Sequence, residues 1–372
     1  MRHGRILAAG WSAFALALFL MLALAIGSGI VGTLSFDAPA LAQRALDPPA
    51  DTLGTGGKSD DWRQIRQGVQ GNVSIPNKQA GVLIQSEGEN FRAARNGPLS
   101  TFGAWVLFGI IAVLALFFAL RGRIKLQSGW SGLVVERFTD IERFTHWLTA
   151  VSFIVLALSG LNMLYGRYVL RPIIGATAFS WLTWIGKLAH NYLAFAFMIG
   201  IVLMFVLWLR ENIPNRYDWQ WIKRAGGFFS KHDHPPAKKF NAGQKLVFWL
   251  VILGGASASL SGLALLFPFK LAWFSHTFAF LNIFGLGLPT DLTPLQDTQL
   301  SQIWHAIIGL LMIALIIGHI YIGTIGMEGA FEAMWTGTVD RNWAKQHHSA
   351  WFEEESVKAQ ASAAEGNMAA AE

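Results

Sequence analysis

The chain has 372 residues, 53% of them hydrophobic and only 14% charged, with a formal net charge of +6. A soluble domain carries about 25% charged residues, so this composition excludes an ordinary soluble enzyme and also a disordered chain. There is no cysteine, which excludes disulfides, thiolate zinc sites, cysteine nucleophiles, cysteine-ligated iron–sulfur clusters and C-x-x-C-H haem attachment.

The first charge-free run, Ile6 to Phe36, follows Arg2 and Arg5 and gives way to Ala40-Leu41-Ala42. A basic start, an apolar stretch and a small-residue site predict a signal peptide over residues 1–42; the length of the apolar stretch leaves an uncleaved N-terminal anchor open. Residues 43–98 are polar. Pro48-Pro49 and Thr55-Gly56-Gly57 mark their first half as a linker. From Trp62 onward, Ile65, Val82, Leu83, Ile84 and Phe91 are mixed with Arg63, Arg66, Arg92 and Arg95. That stretch is too short for a core of its own, so it is expected to order against a partner or the membrane surface.

Further charge-free runs predict five spans, over 99–120, 146–165, 186–209, 246–267 and 299–324. Strands would need alternation and a closed barrel, so the spans are helices and the fold is an all-α integral membrane protein. The run Leu271–Thr290 is apolar too, but it carries Pro289, Gly285, Gly287, Asn282 and His276 close behind Pro268. It is read as a re-entrant or interfacial segment.

Lysine and arginine set the orientation. Arg121, Arg123, Lys125, Arg137 and Arg143 crowd the first basic loop. Arg210, Arg216, Lys223, Arg224, Lys231, Lys238, Lys239 and Lys245 crowd the second, and Arg341, Lys345 and Lys358 follow in the tail. The opposite loops hold only Arg167, Arg171 and Lys270. The basic side faces the cytoplasm, so residues 43–98 lie outside and the C-terminus inside. The excess charge belongs to this asymmetry and does not call for a nucleic-acid partner.

Ten histidines are present, and four fall on spans: His146, His190, His305 and His319. Ionisable residues at membrane depth are rare and usually functional. His146 starts a span running outward, so it lies near the cytoplasmic side; His190 and His305 start inward spans, near the outer side. His319 is 14 residues further along the span of His305, which is about 21 Å of rise and about 40° short of four full turns. The two therefore share one helix face at two depths. His190 is placed to meet His305, and His146 to meet His319. Facing imidazoles across a bundle suit a haem b iron, while zinc or a proton relay stays open on these grounds alone. His232, His234, His347 and His348 read as solvated loop and tail residues, and His276 has no depth-matched partner.

Several segments together resemble one family. They are Ile141-Glu142-Arg143-Phe144-Thr145-His146-Trp147, Leu158-Ser159-Gly160, Lys187-Leu188-Ala189-His190, Phe240-Asn241-Ala242-Gly243-Gln244-Lys245, Trp304-His305-Ala306, Gly318-His319-Ile320-Tyr321 and Arg341-Asn342-Trp343-Ala344-Lys345-Gln346-His347-His348. Taken over about 130–352, they resemble the cytochrome b (gamma) subunit of membrane-bound formate dehydrogenases, in its longer form. The resemblance implies a four-helix dihaem bundle at 121–326, one additional N-terminal transmembrane helix at 99–120, a periplasmic extension at 43–98 and a cytoplasmic tail at 327–372. It implies two haem b groups, the outer held by His190 and His305 and the inner by His146 and His319. It also implies a quinone pocket at Asn241, Gly243 and Gln244. The partners implied are an iron–sulfur (beta) subunit and a molybdenum or tungsten catalytic (alpha) subunit that oxidises formate, in a bacterial inner membrane. This chain would carry the electrons to quinone.

The residues of the pocket admit a plainer reading. Asn241 is a good helix N-cap, and Lys245 can snorkel to the interface. Two rivals remain at this point: a cytochrome b subunit of a nickel–iron hydrogenase or thiosulfate reductase, and a membrane anchor, assembly protein or transporter without redox function. The Asn241–Lys245 loop and the Arg341–His348 element favour the formate dehydrogenase likeness.

Overall fold

A computed structural model describes residues 71–72, 82–84, 88–230 and 233–369. The signal or anchor expected at 1–42, and most of the extension with its expected docking, lie outside the described residues.

Two short strands, β1 (Gly71–Asn72) and β2 (Val82–Ile84), pair antiparallel. Helix α1 (Gly88–Ala94) runs through a wide π-turn at Arg95–Leu99 into α2 (Ser100–Arg121). Pro98 lies inside that turn. Its missing N–H breaks the regular ladder there, and the Ser100 hydroxyl donates to the Arg95 carbonyl at 2.6 Å. Strand β3 (Val134–Glu136) precedes α3 (Asp140–Val169), α4 (Arg171–Trp208) and the short α5 (Arg216–Lys223). Then follow α6 (Ala242–Leu266), α7 (Trp273–Asn282) and α8 (Pro294–Tyr321), which ends in a second π-turn at Ile322–Gly326. The chain closes with α9 (Glu332–Trp335), β4 (Thr338–Asp340), α10 (Arg341–His347) and α11 (Ser349–Ala369).

Five helices are long and apolar enough to cross a membrane: Asn90–Arg121, Asp140–Val169, Arg171–Trp208, Ala242–Leu266 and Pro294–Gly326. The protein is a multi-pass, all-helical membrane protein in which strands are minor. Large apolar side chains such as Phe108, Ile111, Leu116, Val202 and Val206 are exposed, as lipid-facing residues are. Helix α7, expected as re-entrant or interfacial, has ten residues, about 15 Å of rise and half of a hydrocarbon core.

The described residues fall into two compact units. The first takes in Val106–Ala256 and Gly309–Glu372, the second the described part of Leu22–Trp105 with Ser257–Ile308. In the first unit, four helices close a ring. Helices α3 and α4 touch where a Cβ on Gly200 would lie 2.4 Å from Thr149 Oγ1. Gly255 of α6 faces Phe197 and Ile201 of α4, and Gly254 faces Met312 of α8. His319 of α8 then meets His146 of α3. Buried hydroxyls inside the spans return to their own backbone, Thr149 to Thr145 O at 2.8 Å and Ser152 to Leu148 O at 2.6 Å. In a medium without water this is how such groups are satisfied.

At the end of α8, β3 and β4 pair antiparallel with Val135 opposite Val339. Helices α10 and α11 follow. The Asp340 carboxylate accepts from Ser131 N, Ser131 Oγ and Gly132 N, and Trp343 Nε1 donates to Glu328 O. The C-terminal segment is therefore folded back on the loop before α3 rather than trailing as a solvated tail.

In the second unit, the buried Asp297 carboxylate of α8 accepts from Ser275 N at 2.9 Å and Phe274 N at 3.3 Å. It thereby caps the first turn of α7 from a neighbouring helix.

Candidate functional site

His146 and His319 come together in the first unit, with ring centroids 6.2 Å apart and planes tilted by 55°. Helix α3 delivers His146. Its start is fixed by a capping box in which Thr139 N and Oγ1 both donate to Glu142 Oε2. Trp147, the next residue, is pinned through Nε1 to Met334 O at 3.0 Å, and its indole lies edge-on to the His146 ring. His146 Nδ1 is buried and has no hydrogen-bond partner. A buried imidazole nitrogen without a partner is costly unless something else binds there.

The remaining two span histidines are held differently. His190 Nδ1 lies 2.8 Å from Ser159 Oγ in the first unit. His305 Nδ1 lies 3.1 Å from Ser261 Oγ and 3.0 Å from Ala258 O in the second. Ser159 and Ser261 also reach carbonyls of their own helices, Val155 O and Ser257 O. The Ala258 carbonyl can only accept, so in His305 Nδ1 carries the ring proton and the lone pair sits on Nε2. That is the tautomer of a metal-ligating histidine oriented by a neighbour. The glycine after Ser261 lets the ring lie close, since a Cβ on Gly262 would be 3.2 Å from His305 Cε1; one on Gly160 would make an ordinary contact of 3.6 Å with His190 Cε1.

These serines and Gly262 escaped the reading of the sequence as site residues. The signal was available, because Leu-Ser-Gly-Leu occurs twice, at 158–161 and at 260–263.

Asn241, Gly243 and Gln244 lie together in the first turn of α6. Asn241 Oδ1 accepts from Gln244 N at 2.9 Å, and Gln244 Oε1 accepts from Asn241 N at 3.0 Å. This reciprocal pair is a capping box, so the plainer reading of Asn241 holds. A Cβ on Gly243 would meet the Trp221 ring at 2.7 Å, so glycine admits that indole. Lys245 does not snorkel. It is buried, and its Nζ donates to Asp218 Oδ2 and Ile213 O, both at 2.9 Å.

For His234, His347 and His348, expected to be solvated, the structure is a correction, while His232 lies outside the described residues. His348 is 1% exposed and His347 half-buried. His348 stacks on Trp343, donates from Nδ1 to Lys238 O at 2.6 Å and accepts at Nε2 from Arg137 Nη2 at 2.9 Å. His234 lies edge-on to His347 with centroids 5.8 Å apart. A polar-looking tail sequence concealed this, because its aromatic residues bury only once β4 has paired with β3.

A family model described as prokaryotic cytochrome b561 matches residues 137–337, more than half of the chain. The chain belongs to the prokaryotic cytochrome b561 family. Similar curated proteins are formate dehydrogenase cytochrome b556 subunits. The nitrate-inducible Fdn subunit of Escherichia coli K12 is 26% identical over 242 residues, covering 63% of this chain and 97% of that protein. The fdo subunit of the same strain is 26% identical over 221 residues, covering 59% and 92%. The Haemophilus influenzae cytochrome b556 subunit is 23% identical over 216 residues, covering 57% and 80%.

Membership of the cytochrome b561 family implies haem b, and the residues present fit it. Metal–nitrogen bonds of about 2 Å on both sides of one iron, plus two ring radii, place imidazole centroids about 6 Å apart. The His146–His319 separation of 6.2 Å meets that requirement. Nδ1 of His146 is, in addition, not taken by the protein's own hydrogen bonding. Among the described residues no three His, Cys, Asp or Glu gather into a group able to hold a metal ion. A tetrahedral zinc set is therefore a poorer match than paired imidazoles.

Proposed function

We propose that this cytochrome b561-family protein is the quinone-reducing membrane subunit of a formate dehydrogenase. Electrons would reach it from a periplasmic iron–sulfur subunit, itself fed by a molybdenum or tungsten subunit where formate is oxidised. The observation that carries the reading is the facing pair His146 and His319, in a chain whose relatives are formate dehydrogenase cytochrome b556 subunits.

Haem b, when bound, supplies a reversible one-electron carrier. Two are proposed, one held by His146 and His319 toward the cytoplasm and one by His190 and His305 toward the outside. The chain's own residues orient those imidazoles, Ser159 and Ser261 through Nδ1 and Trp147 by fixing the start of α3. In the proposed quinone pocket, the side-chain oxygens of Asn241 and Gln244 are engaged in the cap, so their amide N–H groups are the donors assigned to a quinone oxygen. Gly243 keeps the backbone approachable. The lysine and arginine asymmetry orients the basic loops to the cytoplasm, so quinone reduction would draw its protons from that side. An electron moving inward against a membrane potential costs about 2.3 kcal/mol per 100 mV, and this movement conserves the energy of the reaction.

Tagged full-length chain purified from membranes tests the proposal. It is expected to bring down two further subunits containing iron–sulfur clusters and molybdenum or tungsten, and formate is expected to reduce its b haem. Absence of a b-type reduced-minus-oxidised spectrum would overturn the redox reading. A nickel-containing partner would overturn the assignment to formate dehydrogenase.

A further inference from the structure

The segment leading into α6 is gripped by three successive carbonyls. Ala237 O accepts from Trp351 N at 3.1 Å, Lys238 O from His348 Nδ1 at 2.6 Å, and Lys239 O from Arg137 Nη2 at 2.7 Å. Two donors come from the C-terminal segment and one, Arg137, from the residue that follows β3. Arg137 is itself locked. Its backbone N–H donates to Gly337 O, and its guanidinium lies over the rings of Trp343, Trp351 and Phe138 at 5.0–5.5 Å. His348 joins Arg137 Nη2 at 2.9 Å, closing the network. Phe240, the next residue, packs on Phe138 and Trp208. Asn241 then opens the capping box with Gln244.

Packing alone does not ask for this arrangement. Arg137 is 3% exposed, no carboxylate lies within ion-pair distance of it among the described residues, and its Nε and Nη1 are buried without hydrogen bonds. A buried cation so poorly compensated costs stability, and an apolar side chain of similar volume would fill the space between two indoles with less penalty. What an apolar residue lacks is direction. A guanidinium and an imidazole aim their donors at particular carbonyls and so fix the rotation of the peptide planes at 238 and 239. Those planes lie two and three residues ahead of Asn241.

We propose that Arg137 and His348 are positioning residues of the quinone site, holding the Lys238 and Lys239 carbonyls so that Asn241, Gly243 and Gln244 present the geometry a quinone headgroup needs. This rests on the quinone reading of those three residues. The C-terminal segment, with His348 110 residues from Lys238 in sequence, thereby becomes part of the site.

The test uses full-length chain in native membranes and follows b-haem reduction by the quinol of tetramethylbenzoquinone as a function of its concentration. The reference variant Asn241→Ala is expected to raise the half-saturating concentration. If it does not, the quinone reading fails and the positioning role falls with it. His348→Leu removes both directional bonds and is expected to raise half-saturation about tenfold with the maximal rate within about twofold. His348→Asn places an amide donor where Nδ1 stands and is expected to stay near wild type. His348→Gln places its amide at the Nε2 end, keeps only the Arg137 contact, and is expected to resemble leucine. A wild-type profile for His348→Leu beside an altered Asn241→Ala would overturn the proposal. Should the leucine variant fail to accumulate haem, asparagine and glutamine decide: equal half-saturation in those two overturns it.

Discussion

His146 and His348 are the same residue type in the same unit, both largely enclosed, and they are equipped for opposite tasks. Both ring nitrogens of His348 are engaged, one by a carbonyl and one by a guanidinium. His146 has a buried nitrogen with no partner and a second imidazole 6.2 Å from its centroid. Burial by itself therefore does not distinguish a ligand from a structural histidine. The partners of the ring nitrogens do: both of His348's are taken by protein groups, whereas His146 keeps one open beside a second imidazole.

The largest effect that would break this comparison concerns haem content. His146→Ala or His319→Ala is expected to remove the inner haem and leave about one per chain, as His190→Ala or His305→Ala should remove the outer, since each iron needs both imidazoles. Pyridine haemochrome assay and low-temperature spectra measure this. His347→Ala and His348→Ala should retain both haems. Loss of the same spectral component in His348→Ala as in His319→Ala would erase the distinction.

A smaller effect sharpens it. Ser159→Ala and Ser261→Ala each delete a group that orients a ring through Nδ1. Outer-shell losses of this kind weaken binding by about 10–100-fold. Haem should remain at high supply but dissociate faster from purified protein, and only from the outer site. Wild-type dissociation from both variants would show that these hydroxyls merely satisfy themselves.

The smallest effect is a pH dependence confined to the structural histidines. Burial first, then the charge of Arg137, pushes His348 well below its usual range, against the opposing bond to Lys238 O. Burial, then His234 and Arg137, pushes His347 down to about 3. The unfolded segment, with ordinary histidines near about 6.5, binds more protons than the folded one below that pH. The stability of the folded segment is therefore full above pH 6.5 and declines as pH falls toward 3. Proteolytic nicking within 327–369 should accelerate a few-fold between pH 7 and pH 5, and His348→Asn should flatten the slope. A flat wild-type profile would mean that these rings do not titrate with opening.

The five spans were legible because twenty apolar residues in a row admit one structure in a membrane, a helix whose backbone satisfies itself. The expected depth of each span histidine and the expected shared face of His305 and His319 rest on the same helical repeat. The N-cap at Asn241 was legible too, since a cap needs no distant chain. The roles of Ser159 and Ser261 were half-legible, as a repeated tetrapeptide whose purpose appears only beside the histidines.

Lys245, Arg137, His347 and His348 were beyond such reading. Local sequence describes them as cations and imidazoles in polar, basic stretches, and solvation is the ordinary state of such residues. Their burial depends on residues about 30 to 210 positions away: Asp218 under Lys245, and Trp343, Trp351 and Lys239 O around Arg137. The sequence by itself determined the long apolar helices and their number, because those follow from short-range backbone satisfaction and a fixed rise per residue. Only the tertiary structure decided which buried polar groups are paired, because a hydrogen bond needs both partners in place and distant partners leave no periodic trace along the chain.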